Sequence, residues 1–453
     1  MIQHQVSYTS RGLTVIKLPM PMAESVTVLT LANTGSRYEP AKWQGLAHFL
    51  EHLVFKGTAK YPTAQSLATI VDGVGADFNA FTSKEYTGYY VRSAAEHVEL
   101  ALDVVSDLLL TPQCRQEDID REKGVIIEEL NMYADSPQRH IDNVFENLLY
   151  GADPGLAHDV VGVKSTIQSF TTQDFKQFLH HWYGFNNLVL VVAGAERVIS
   201  SPKFMTQVET AFSKAPQLKR ADNAINQRAA ARPIQVFGED RLKVVYRQTQ
   251  QAHLVLGWPG FSRQNPDRYA LSVLSTILGG NMSSRLFTEV REQRGLCYYI
   301  HSSEDYFHDV GVFGGMAGVD PARTAEAIQV MIGEFLDLAD GTQPVTEAEL
   351  NRAKDYLIGK TVLSLEDSES VAQYYGIRQL LQGKIETPDE ALAKVKAVKL
   401  VDLHRIAKQL IKPDQLRLAI IGPFKSKSKI AKWVADSLVR KPRQIRSQTR
   451  SKK

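Results

Sequence analysis

The sequence predicts an α+β protein made of two homologous domains, each a mostly antiparallel sheet with helices packed on one side. Three observations lead there. Both halves contain short runs of alternating or continuous apolar residues of strand length. Amphipathic helical stripes with capping signals lie between them. The same order of elements then occurs a second time after roughly 200 residues, a period that marks duplication of a whole domain rather than a solenoid.

In the first half, Leu13-Thr-Val-Ile and Val26-Thr-Val-Leu-Thr-Leu read as strands. A nearly continuous apolar helix runs from Gly45 to Phe55. Thr63 caps a short helix that ends near Gly73, and Thr87 to Arg92 is a strand. Ser93-Ala-Ala-Glu96 has capping-box spacing, followed by the stripe Val98, Leu102, Val105 and Leu109. A helix covers Gln116 to Tyr133, another starts at Phe170-Thr-Thr-Gln-Asp174, and Leu188 to Gly194 is a buried strand.

The second half repeats this order. Ala252 to Trp258 is a strand, Arg268 to Leu278 an apolar helix, and Tyr298–Ser302 and Val310–Met316 are strands. Helices follow at Ala322–Leu338 and Thr346–Leu365. Leu400-Val-Asp402-Leu starts the next helix, and Leu416 to Gly422 closes as the buried strand. The stretch 215–235, Ala/Arg-rich up to Ala231, suits a linker between domains 1–214 and 236–438.

Composition places the chain among ordinary globular proteins: 453 residues, 43% hydrophobic and 23% charged. The net charge of +3 hides an asymmetry. Residues 439–453 carry seven Lys or Arg and no acid, so the remainder stands at 3 − 7 = −4. We read 439–453 as a disordered basic tail and expect no nucleic-acid partner. Two cysteines, Cys114 and Cys297, cannot build a disulfide framework. No secretory signal and no membrane span are expected, which points to the cytoplasm.

The chemistry stands out because only one repeat carries it. His48-Phe-Leu-Glu51-His52 places two imidazoles at i and i+4, on one helix face, with Glu51 bordering it. The helix is otherwise apolar, so three ionisable groups buried there would be costly without a shared partner. A catalytic zinc needs three protein ligands and an open position. A carboxylate from another element is the natural third. Glu122 and Glu129 share one face of the Gln116–Tyr133 helix with Ile119, Ile126 and Tyr133, whereas Glu128 lies about 100° away around the helix. In the second repeat Ala353 falls opposite Glu122 and Lys360 opposite Glu129, and His-x-x-Glu-His is missing.

These residues, with residues 53–128 between the motif and Glu129, resemble the signature of the inverzincin peptidases: pitrilysin, insulin-degrading enzyme and the β subunit of the mitochondrial processing peptidase. Gly35-Ser-Arg, Gly45-Leu-Ala, Phe55-Lys-Gly-Thr58 and Asn79-Ala-Phe-Thr82 match as well. The resemblance runs from about Tyr8 to Leu438, in the manner of a short, two-domain bacterial member. It implies His48, His52 and Glu129 as ligands of one Zn2+ per chain, Glu51 as general base, and Glu122 as an acid that orients the site. It implies that 1–214 is catalytic and that 236–438 binds substrate without a metal.

In the second half, Leu278-Gly-Gly-Asn-Met-Ser-Ser-Arg285 and Arg291-Glu-Gln-Arg-Gly-Leu-Cys-Tyr298 are similar to the family's second-domain motif, with Asn281 in place of the usual third Gly. By that resemblance Arg291 and Tyr298 act on the bound peptide. Asn79, Ala80 and Phe81 would lie along the edge against which extended substrate is laid. Relatives with four such domains form a clamshell of which this chain looks like half, so a homodimer is expected. The implied activity is a zinc metalloendopeptidase acting on peptides. The alternatives are a non-catalytic structural or chaperoning subunit, and a dedicated precursor-processing peptidase.

Overall fold

A computed structural model describes residues 2–151, 154–213, 238 and 240–439. The expected linker 215–235 and all but the first residue of the basic tail lie outside the described residues.

The duplication is written into the strand order. The first sheet runs β1-β2-β6-β3-β5-β4 and the second β7-β11-β8-β10-β9. The strands are β1 (Gln5–Tyr8), β2 (Thr14–Met20), β3 (Ser25–Ala32), β4 (Asp77–Thr82), β5 (Thr87–Ala94) and β6 (Leu188–Ala195), then β7 (Leu242–Tyr246), β8 (Ala252–Gly260), β9 (Cys297–Tyr306), β10 (Gly311–Val319) and β11 (Arg417–Gly422). Without β1 the two orders correspond strand for strand. The single parallel pair per sheet among the described residues also recurs, β2 with β6 and β7 with β11, and the other pairs described are antiparallel.

Period-two side-chain alternation sends each first-sheet strand to two cores. Val15, Val26, Val28, Leu190 and Val192 face the main helical layer. Ile16, Leu29, Leu31, Val189 and Val191 face the other way and are also buried. Burial on both faces explains why 188–193 reads as one apolar run. The expectation of helices on one side describes one face only. The opposite face is covered by the helix Ser368–Gln382, through Val371, Ala372 and Tyr375. Its Gly376 allows the close approach: a Cβ would sit 2.7 Å from Leu31 Cδ1 and Val191 Cγ2, so those side chains would have to shift.

The second sheet receives the reciprocal element. The helix Pro137–Tyr150 packs on β8 and β11, and Phe145 Cζ lies 3.1 Å from where a Gly257 Cβ would be. The compact units are therefore not contiguous in sequence. One comprises residues 2–133, 154–213 and 361–389; the other comprises 134–151, 240–360 and 390–439. The traded helices begin at 137 and 368, equivalent positions at the 231-residue offset that sets Glu122 against Ala353 (137 + 231 = 368).

Most predicted elements are present. One capping expectation is corrected. Ser93-Ala-Ala-Glu96 does not cap the next helix, because β5 continues to Ala94 and a 3-10 turn occupies Ala95–His97. The helix then starts at Val98 with no side-chain cap. Pairing of β5 along β3 up to Ser25 holds Ser93 and Ala94 extended, so tertiary pairing overrides the local signal. No helix among the described residues is long and apolar enough to cross a membrane.

Candidate metal centre

The helix Leu46–Val54 carries both histidines. It begins at Gly45, whose φ of +91° is left-handed; a Cβ there would lie 2.3 Å from the Val161 carbonyl oxygen. That backbone needs glycine. Leu46, Ala47, Phe49, Leu50, Leu53 and Val54 are buried in the first core, which leaves His48, Glu51 and His52 to face the long helix Gln116–Asp135 and β4.

The structure brings His48, His52 and Glu129 together. One donor atom from each lies within 4.8 Å of the others, and this is the one such cluster among the described residues. His48 Nε2 is 3.7 Å from Glu129 Oε1, and His52 Nε2 is 3.4 Å from Glu129 Oε2. A tetrahedral zinc with bonds of about 2.0–2.1 Å separates its ligand atoms by about 3.3 Å, so the donor set and its spacing fit that ion.

Glu122 sits one layer out. Its Oε1 is 3.1 Å from His52 Nδ1, and its Oε2 accepts an ion pair from Lys56 Nζ at 2.7 Å. A carboxylate on Nδ1 fixes the ring and directs Nε2 inward. Glu128, next to Glu129 in sequence but on another face of the helix, is exposed and accepts from Asn131 instead. Tyr133, one turn beyond Glu129, hydrogen-bonds to it.

Glu51 is not part of the cluster. Its Oε2 accepts from Thr82 Oγ1 at 2.5 Å. Thr82 ends β4, which among the described residues pairs with β5 alone and so forms a sheet edge. Asn79 is exposed on that edge, Ala80 is buried, and Phe81 is half-buried.

The electrostatics follow from burial against pairing. Burial pushes the His48 imidazole down to about 4, with Glu129 opposing and His52 reinforcing. Burial also resists charging His52, but Glu122 and Glu129 outweigh it and raise its pKa to about 9. Burial would raise Glu122, yet His52 and Lys56 hold it below the ordinary carboxylate range. The hydrogen bond from His52 holds Glu129 low. Burial lifts Glu51, and the Thr82 hydroxyl and His52 oppose the rise.

Arg291 and Tyr298 lie in the second unit. Arg291 is in a π-helical turn, Phe287–Glu292, a rare element common at functional sites. Its guanidinium lies over the Phe287 ring at 4.8 Å and the Tyr298 ring at 5.6 Å. Tyr298, near the start of β9, is 74% exposed. In the same unit Ala353 is buried in the core where the first repeat has Glu122. Sequence reasoning passed over Thr82 and Lys56 as parts of this centre. Each acts through a contact distant in sequence, and neither carries a local signal.

A family model described as insulinase (peptidase family M16) matches residues 14–153, and one described as the peptidase M16 inactive domain matches 169–357. An uncharacterized zinc protease of Streptomyces coelicolor is 36% identical over 419 residues, covering 92% of this chain and 89% of its own. One from Bacillus subtilis is 33% identical, covering 91% and 96%. Among solved structures, a protease from Helicobacter pylori superposes with a TM-score of 0.83 at 24% identity, covering 93% of this chain and all of that one. An M16 inactive domain from Pseudomonas fluorescens gives 0.80 at 20% identity, covering 94% and 99%.

Proposed function

The chain belongs to the M16 peptidase family, and on that premise we propose that it is a zinc-dependent endopeptidase cleaving extended peptides or unfolded protein segments. One observation carries the reading: His48, His52 and Glu129 present one donor each to a common point, with a half-buried carboxylate, Glu51, one residue from His52. Residues 1–214 are the catalytic domain in this reading, and 236–438 bind substrate.

His48, His52 and Glu129 hold the zinc, and Glu122 orients His52. When bound, zinc supplies a Lewis acid that brings the pKa of water down toward about 7. Glu51 takes the proton of the attacking water and passes it to the leaving amine; its raised pKa suits both tasks. Thr82 holds Glu51 in place from the end of β4. The free edge of β4 at Asn79–Phe81 offers backbone N–H and C=O groups to an extended peptide, so recognition is through main chain and tolerates many side chains. Tyr298 donates to the oxyanion of the tetrahedral intermediate and Arg291 holds a substrate carbonyl. Homodimerisation and a cytoplasmic site of action complete the proposal.

The test is cleavage of a mixed peptide library by the purified chain, alone, with chelator, and with zinc restored. The reading requires cleavage that chelator stops and zinc restores. Intact library in all arms favours the non-catalytic subunit. Cutting at one peptide only favours a dedicated processing enzyme.

A further inference from the structure

We propose that Glu39 is a positioning residue for the metal centre, a buried clamp that fixes the helix bearing His48 and His52 in place. The proposal rests on the metallopeptidase reading.

Helix N-termini leave backbone N–H groups without intrahelical partners, and the usual remedy is a side-chain oxygen on the capping residue itself. Here the capping residue is Gly45, which has none. Glu39, upstream in sequence, supplies both acceptors: Oε2 takes the Gly45 N–H at 2.7 Å and Oε1 takes the Ala47 N–H at 2.6 Å. Its side chain is 0% exposed. A buried carboxylate is a costly group to keep, and the positive end of the helix is one environment that stabilises it.

Two oxygens on two N–H groups of the first turn fix both the axial position and the rotation of the helix. Ala47 precedes His48, so the clamp ends one residue before the first imidazole. The other side of the same turn is closed by backbone: a Cβ on Gly45 would meet the Val161 carbonyl oxygen. Lys84 Nζ ties down that flanking segment by donating to the Leu156 and His158 carbonyl oxygens, at 3.3 and 2.6 Å. Catalytic and metal-binding constellations must be held to within about 0.5 Å of their productive geometry. A short helix free to slide or turn by more than this would spread the two imidazoles relative to Glu129.

The experiment compares zinc affinity of the full chain and Glu39→Gln by competition with a chromophoric chelator, with melting followed in apo and zinc-loaded forms. The carboxamide in Glu39→Gln would keep one acceptor and turn its NH2 group toward a backbone N–H. The expected result is zinc binding weakened about 10- to 100-fold, with a smaller zinc-induced rise in melting temperature. A residue that merely stabilised the fold would lower both melting temperatures equally and leave affinity alone. A folded Glu39→Gln binding zinc within about twofold of wild type overturns the proposal. Should that variant not fold, Glu39→Asp decides: its carboxylate is one methylene too short to reach both N–H groups, and wild-type affinity there is equally fatal. Failure of the wild-type chain to bind zinc would instead strike the functional reading itself.

Discussion

Thr82 Oγ1 and Glu51 Oε2 stand 2.5 Å apart, so the last residue of an edge strand holds the carboxylate next to the two histidines. The edge strand and the proposed base are thereby joined by one hydrogen bond. Thr82→Val, nearly isosteric but without the donor, is expected to lower kcat about 10- to 100-fold while zinc content stays at wild-type level, and Thr82→Ser to restore most of the loss. Steady-state kinetics with metal analysis check this. An unchanged kcat in Thr82→Val would separate the strand from the base.

Glu51→Gln removes the proposed proton acceptor but no donor atom of the His48, His52 and Glu129 cluster. The zinc is expected to remain and cleavage to fall by at least about 100-fold. Fluorogenic-peptide assays beside zinc determination test both halves. A fully active variant refutes Glu51 as the base.

Zinc binding should release protons, and the pKa shifts give the sign. His48 is pushed down by burial and is neutral at about pH 7.5. His52, raised to about 9, is protonated there and must lose its proton to ligate. Calorimetric titration of apo-protein at about pH 7.5, in buffers of different ionisation enthalpy, is expected to show at least about one proton released per zinc. The His52 contribution disappears as pH rises past about 9. The same sign governs apo stability: the His52 contribution is full below its unfolded value near 6.5 and is lost as pH rises through about 9. The absence of proton release under these conditions would contradict the charge assignment of His52.

The traded helices carry a prediction independent of chemistry. Gly376 lets the helix Ser368–Gln382 lie against Leu31 and Val191. Gly376→Val forces side-chain atoms into that contact and is expected to destabilise the chain by about 1–3 kcal/mol. Thermal unfolding checks it; an unchanged melting temperature would mean that this face is loosely packed.

How much of this is legible in the sequence depends on the distance over which each residue acts. The motif helix and the face shared by Glu122 and Glu129 are local periodicities, and the sequence carries them plainly. Spacing alone leaves Glu122 and Glu129 as equals. The fold separates them because Glu129 reaches Nε2 of both histidines and Glu122 reaches Nδ1 of one. The duplication is legible as an order of elements. The exchange of Pro137–Tyr150 for Ser368–Gln382 is not, since nothing local says which sheet an amphipathic helix will cover. Glu39 and Thr82 escape for the same reason: a cap normally sits beside its helix, and a strand-end threonine is ordinary until its partner is known.

Two imidazoles of one helix and one distant carboxylate are proposed to share a single ion. Elemental analysis of purified wild type and of Glu129→Lys, which copies the second repeat at Lys360, tests it most directly. About one zinc per wild-type chain and close to none in the folded variant are expected. Equal zinc in both would contradict it.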